Sequence, residues 1–191
     1  MGFAGVIKMA QHTLSVLVEN SPGVLARVAG LFSRRGYNID SLAVGPTEDP
    51  RVSRMTIVLN LEGHALDQVS AQLFKLVNVI GIQEMKESET RQRELAFVKV
   101  AADRAQLEPL LTGYQAEIVE TKSGTSILQV VANNKDLVAL LQRLESFGIK
   151  ELVQSGAIAI DLSGQTLVEQ TALETGLASS DTQSQLEDYQ N

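Results

Sequence analysis

The chain has 191 residues, with 16 Lys+Arg against 23 Asp+Glu for a formal charge of −7, 44% hydrophobic residues, 4% aromatics and no Cys. That apolar content supports a packed core and excludes global disorder, and the length suits one domain or two small ones. Without Cys, a disulfide scaffold, a thiolate zinc site, an iron–sulfur cluster and a Cys nucleophile are impossible, and an acidic balance disfavours a nonspecific grip on phosphate backbones.

Residues 1–11 form a short, weakly apolar extension with one positive charge, Lys8, and Met9 is a second candidate start. The extension lacks the apolar centre of a secretory signal, and no later run approaches the ~20 apolar residues of a membrane span. A cytoplasmic chain is therefore expected.

Leu14, Val16 and Val18 alternate as in a half-buried strand, and Asn20-Ser21-Pro22-Gly23 breaks it. Val24, Leu25, Val28, Leu31 and Phe32 then fall at helical spacing up to Arg34-Arg35-Gly36, where Gly36 suits the left-handed residue past a helix end. Residues 39–44 read as a second strand, 45–50 as a polar loop, and Met55, Ile57, Leu59 and Leu61 as a third strand. Leu66, Val69, Leu73, Leu76 and Val77 predict a second helix, and residues 79–85 a fourth strand. The order is β-α-β-β-α-β. A polar run over 86–94 reads as a linker.

The order then repeats. Residues 95–101 are a strand, and Asp103 opens a helix to about Leu111. Strands at 116–119 and 127–131 flank a Lys122-Ser123-Gly124-Thr125 turn. Leu137, Val138, Leu140, Leu141, Leu144 and Phe147 mark a helix face, and the last strand lies within 149–160. Gly81-Ile82-Gln83-Glu84 and Gly148-Ile149-Lys150-Glu151 echo each other at an offset of 148 − 81 = 67. The fold class is α+β: two ferredoxin-like sandwiches in tandem, each with four antiparallel strands and two helices on one face. The other face of each sheet is expected to be open, which favours pairing with another chain. The expected divisions are 1–11 (extension), 12–87, 88–94 (linker), 95–164, and 165–191, an acidic and largely disordered tail in which Leu167, Val168 and Leu173 are spaced for a short helix.

Groups for catalysis are scarce. His12 and His64 lack the companions that a metal site or a triad needs, and both read as surface residues. Neither G-x-G-x-x-G, G-x-x-x-x-G-K-[ST] nor G-x-S-x-G occurs. The run 121–126 has the composition of a phosphate loop, but it joins two strands and reads as a hairpin. Glu48 and Asp49 read as solvated charges. Arg34 and Arg35 complement a helix C-terminus, and the role of Arg51 and Arg54 stays open. No catalytic or metal-binding residue is assigned. Asn20-Ser21-Pro22-Gly23 admits two readings, a plain turn or a carboxylate site at the helix N-terminus. Gly23 would allow close approach to the backbone there.

Leu14-Ser15-Val16-Leu17-Val18-Glu19-Asn20, followed by Gly23-Val24-Leu25-Ala26-Arg27-Val28, resembles the start of an ACT regulatory domain. Gly36-Tyr37-Asn38-Ile39-Asp40-Ser41-Leu42 and Ser53-Arg54-Met55-Thr56-Ile57 narrow the resemblance to the small, regulatory subunits of acetolactate synthase. Arg93-Glu94-Leu95-Ala96-Phe97-Val98-Lys99-Val100 extends it to a second domain of that family, over about residues 12–164 in all.

The resemblance implies a non-catalytic subunit with no cofactor of its own. Its partner would be a large catalytic subunit carrying thiamine diphosphate, Mg²⁺ and FAD, which condenses two pyruvates, or pyruvate with 2-ketobutyrate, on the route to valine, leucine and isoleucine. The small subunit would raise that activity and confer feedback inhibition by valine. It would form a homodimer through its ACT domains, with no nucleic acid and no membrane as partner. The implied valine site takes Asn20, Gly23, Val24 and Leu25 from one chain and Asn38 and Ile39 from the other. Two positions depart from the family pattern: Gln154 stands where an Arg is expected, and Ser163 where a basic residue is common. The competing reading is a free-standing amino-acid sensor controlling transcription, which needs a basic DNA-reading helix that this sequence lacks. Net charge does not decide between the two. The tail holds five acids (Glu169, Glu174, Asp181, Glu187 and Asp188) and no Lys or Arg, so residues 1–164 carry 16 − 18 = −2.

Overall fold

The computed structural model describes residues 9–62 and 65–174. His64, the extension before residue 9 and the tail beyond residue 174 lie outside the described residues, so the expectations for them stand as stated.

Two compact units divide the chain. The first comprises described residues up to Arg91 together with those from Ala159 onward, and the second is Gln92–Ile158. In the first, β1 (Met9–Glu19), α1 (Val24–Arg34), β2 (Ser41–Pro46), β3 (Val52–Glu62), α2 (Ala65–Leu73) and β4 (Val79–Glu84) form a sheet of order β2-β3-β1-β4. Neighbouring strands are antiparallel, with Leu14 opposite Ile57 and Val16 opposite both Met55 and Ile82. The alternating residues Leu14, Val16, Val18, Met55, Ile57 and Leu59 form the core with Val28, Leu31 and Phe32 of α1 and Val69 and Leu73 of α2. Each such side chain contributes roughly 1.5–3 kcal/mol by leaving water.

α2 stops at Leu73, short of the expected Val77. The next residues tighten into three-residue turns, Lys75 N–H to Gln72 O and Leu76 N–H to Leu73 O, and Val77 is 93% exposed. The helical spacing there belongs to the turn that lowers the chain into β4.

The second unit contains most of β5 (Thr90–Val100), then α3 (Arg104–Leu111), β6 (Ala116–Lys122), β7 (Thr125–Ala132), α4 (Asn134–Leu144), a 3-10 turn (Glu145–Phe147) and β8 (Ile149–Gln154). Its sheet order, β6-β7-β5-β8, repeats that of the first unit, and β9 (Ile158–Asp161) also pairs with β5. Ser123 and Gly124 both take positive φ (51° and 69°), so the run of phosphate-loop composition is a two-residue hairpin turn, as expected.

Five expectations change. The linker over 88–94 is mostly strand, because β5 already begins at Thr90; buried Thr90 and Glu94 hide a polar run inside a ladder. The final strand is two strands, β8 and β9, broken near Gly156, whose φ is +79°. Part of the tail expected to be disordered is the helix α5 (Leu167–Glu174), in keeping with the spacing of Leu167, Val168 and Leu173; it is opened by Thr166, whose hydroxyl accepts the Glu169 N–H at 3.2 Å. Leu167 is buried, and α5 packs on β4. The first sheet has no open face, since Ser15, Leu17, Thr56 and Val58, opposite the helices, are all buried. In the second sheet the corresponding face does expose Phe97, Val119 and Val153.

The fifth change concerns the internal echo, which is out of register. Leu17 pairs with Gly81 and Lys99 with Glu151, on the same side of a register shift present in both sheets. The structural offset of the closing strands is 151 − 81 = 70, not 67.

Candidate functional site

β1 ends at Glu19 and α1 begins at Val24, so four residues make the whole connection. Gly23 is the N-cap with φ +84°, a left-handed conformation that an L side chain rarely adopts, and a Cβ placed there meets nothing within 4 Å. The turn is thus shaped by a glycine and open above it. No side chain caps α1, and its first turn carries no acid. The Val24 N–H reaches Ser21 O at 3.4 Å, and Arg27 N–H is the first to bond within the helix, to Gly23 O at 3.0 Å. The intervening N–H groups of Leu25 and Ala26 have no acceptor within the helix. Together with the positive end of the helix dipole they suit a carboxylate.

The turn is seated on the β2–β3 hairpin. Asn20 N–H donates to Arg51 O at 2.6 Å, and Asn20 Nδ2 donates to Pro50 O at 2.8 Å. That hairpin is itself locked. The Asp49 carboxylate accepts from Arg51 N–H at 2.9 Å, Nε at 3.0 Å and Nη2 at 2.8 Å. These bonds from Arg51 hold the Asp49 carboxyl below the usual carboxylate range. Asp49 is therefore engaged rather than merely solvated, and Arg51, open on sequence, is its partner.

The six expected site residues do not meet within one chain. Asn20, Gly23, Val24 and Leu25 sit at the N-terminal end of α1. Asn38 and Ile39 follow its C-terminal end, past Gly36 at φ +71°. The eleven residues of α1 separate the two groups by roughly 16 Å at 1.5 Å per residue. Leu25 is 43% exposed beside the turn. The Val24 side chain is 3% exposed and lies in the first core, so Val24 meets the turn through its backbone, as the reading of the N–H groups after Gly23 requires. Asn38 Nδ2 donates to Asp40 Oδ1 at 2.7 Å, and half-buried Ile39 packs against the first core.

His12, read as a surface residue, is half-buried and pairs through Nδ1 with Glu84 Oε1 at 2.8 Å. Among the described residues no three His, Cys, Asp or Glu side chains gather as a metal site would need, and no helix is long and apolar enough to cross a membrane. The sequence reading missed the Pro50 and Arg51 carbonyls and, on the other flank, Asn78, whose carbonyl accepts the Glu19 N–H at 2.9 Å. Backbone acceptors leave no mark in a pattern of side chains, and Asn78 shows only as a polar residue before a strand.

A family model described as the AHAS small subunit-like ACT domain matches residues 14–81, and one described as the small subunit of acetolactate synthase matches residues 93–163. The acetolactate synthase small subunit of Mycolicibacterium smegmatis is 48% identical over 152 residues, 78% of this chain and 89% of that relative. The probable acetolactate synthase small subunit of Archaeoglobus fulgidus is 42% identical over 153 residues, 78% of this chain and 96% of that one. The crystal structure of the acetolactate synthase small subunit from Thermotoga maritima matches with a TM-score of 0.73 at 28% identity, over 82% of this chain and 99% of the other. Two sheets of the same order, a glycine-shaped entry to α1 and family matches across both repeats agree: the chain belongs to the acetolactate synthase small-subunit family.

Proposed function

We propose that this chain is the regulatory subunit of an acetolactate synthase. It docks on a large catalytic subunit, raises that subunit's activity and makes it sensitive to valine. The observation that carries this reading is the family match across both repeats, residues 14–81 and 93–163. The chemistry is left to the partner, which holds the thiamine diphosphate, Mg²⁺ and FAD.

The valine site is composite. The carboxylate of valine takes the free N–H groups of Leu25 and Ala26 beside Gly23. The Asn20 side-chain oxygen and Asn38 of a second copy take its polar ends. Leu25 and the second copy's Ile39 wall the isopropyl group. The separation of the two groups along α1 supports a site completed by a homodimer. Such a pocket discriminates weakly among branched amino acids, since one methylene is worth about 1–3 kcal/mol. Valine inhibits only if it binds one state of the complex more tightly than the other.

The test is reconstitution. Mixing the chain with the catalytic subunit of its own organism is expected to raise acetolactate formation and to make it fall on adding valine. Unchanged rate and unchanged sensitivity would overturn the reading.

A further inference from the structure

The turn between β1 and α1 is held on two sides. On the β3 side the hairpin carbonyls of Pro50 and Arg51 hold Asn20. On the β4 side a single residue, Asn78, uses three of its hydrogen-bonding groups. Its backbone carbonyl accepts the Glu19 N–H at 2.9 Å. Its side-chain Nδ2 donates to Glu19 Oε2 at 2.5 Å. Its Oδ1 accepts from Arg27 Nη1 at 2.5 Å. Glu19 is the last residue before the turn, and Arg27 closes the first turn of α1. Asn78 thus ties together the two ends of the 20–26 segment, which contains Asn20, Gly23 and the free N–H groups of Leu25 and Ala26.

We propose that Asn78 is a positioning residue for the effector turn, setting the spacing between the end of β1 and the first turn of α1. This rests on the reading of that turn as the valine site. Asn78 touches no ligand itself. Its amide serves because it presents a donor to the Glu19 carboxylate and an acceptor to the Arg27 guanidinium at once. An aspartate there keeps the bond from Arg27 but turns the other into a contact between two carboxylates. Changing Glu19 to glutamine in that background restores the contact with the donor reversed, from Gln to Asp.

The test uses the full chain. By titration calorimetry with valine, Asn78→Asp is expected to bind about tenfold more weakly, from the loss of one charge-assisted bond and the repulsion that replaces it. The double variant Glu19→Gln/Asn78→Asp is expected to return to within about threefold of the parent. A role in bulk stability alone would not follow that exchange of donor and acceptor. Parental affinity in Asn78→Asp would overturn the proposal. A double variant that unfolds at the parental midpoint yet stays weak would overturn it too. Amide hydrogen exchange without valine gives a second reading. Exchange at Arg27 and Val28 is expected to quicken about tenfold in Asn78→Asp and to recover in the double variant, and unchanged exchange overturns the clamp. If the parent takes up no valine while exchange behaves as expected, the valine site fails and the clamp stands.

Discussion

The entries to α1 and α3 occupy the same place in two sheets of identical strand order, and they are finished in opposite ways. α1 starts on Gly23 with no capping side chain and no acid in its first turn. α3 starts on Asp103, whose carboxylate faces the helix dipole, and the Gln106 side chain turns back to accept the Asp103 N–H at 3.0 Å. α4 is closed likewise, with Asn133 Oδ1 accepting the Asp136 N–H at 2.8 Å. A helix start satisfied by its own chain has little left for a ligand. The difference between a capped and an uncapped entry therefore resides in two or three residues, not in the fold.

The closing strands differ in the same manner. Leu14 lies opposite Glu84 and Ala96 opposite Gln154, so the pair His12–Glu84 corresponds to the pair Glu94–Gln154. The first is a short contact of 2.8 Å. In the second, Gln154 Nε2 stands 3.4 Å from Glu94 Oε2, Glu94 is 7% exposed, and its Oε1 is buried without a hydrogen bond. Burial raises the Glu94 carboxyl above its ordinary value, and the Gln154 amide offsets this only in part. Arginine at 154, expected from the family, would supply the missing charge.

The largest effect is expected from Gly23→Asp. It places a carboxylate where the ligand's own is to bind and forces an L side chain to φ +84°. The valine concentration for half-inhibition of the reconstituted enzyme should rise by about 100-fold or more. Normal sensitivity would show that the two helix entries differ in finish but not in use.

Next comes Gly81→Val. Gly81 faces Thr171 of α5, and a Cβ at Gly81 would lie 2.5 Å from the Thr171 hydroxyl. Denaturation should lose about 1–3 kcal/mol, and adding Thr171→Ala should return part of it. No loss would mean that α5 is not part of the first unit's packing. Asp103→Ala should then cost about 1 kcal/mol of stability while leaving the valine response intact, because the α3 entry is closed by its own side chains. A changed response would erase the contrast between the entries.

The smallest effect is that of Gln154→Arg, about 0.5–1 kcal/mol in stability at neutral pH after solvent screening. The sign follows from the raised carboxyl. The folded state holds the Glu94 proton more tightly than the unfolded chain, so its contribution is complete below the ordinary value of 4.5 and is lost as pH rises through the folded value. Glu94→Gln should therefore flatten the fall in urea midpoint above that pH. An unaltered slope would show that Glu94 does not carry it.

Much of the fold was legible because its information is periodic. Leu14, Val16 and Val18 against Val28, Leu31 and Phe32 name a strand and a helix that share one core. Errors collected where pattern and packing diverge. Thr90 and Glu94 are polar yet buried, so a strand was read as a linker. Leu76 and Val77 kept helical spacing beyond the end of the helix. Of the candidate site, the glycine-shaped turn was legible in Asn20-Ser21-Pro22-Gly23, whereas the burial of the Val24 side chain beside the exposed Leu25 was not.

By itself, the sequence determined two repeats of one fold, a glycine at the entry to α1 and the family of the chain, because these depend on neighbours in sequence and on the alternation of apolar residues. Tertiary structure alone decided that the second repeat's closing strand is offset by three from its apparent echo and that α5 returns to β4 beside Gly81. It also decided that Asn78 reaches Glu19 and Arg27, 59 and 51 residues away along the chain. Such contacts join positions with no periodic relation to one another. They arise only when burial of a unit's own core has brought its strand ends together, and only then does a side-chain amide find both a carboxylate and a guanidinium to bond.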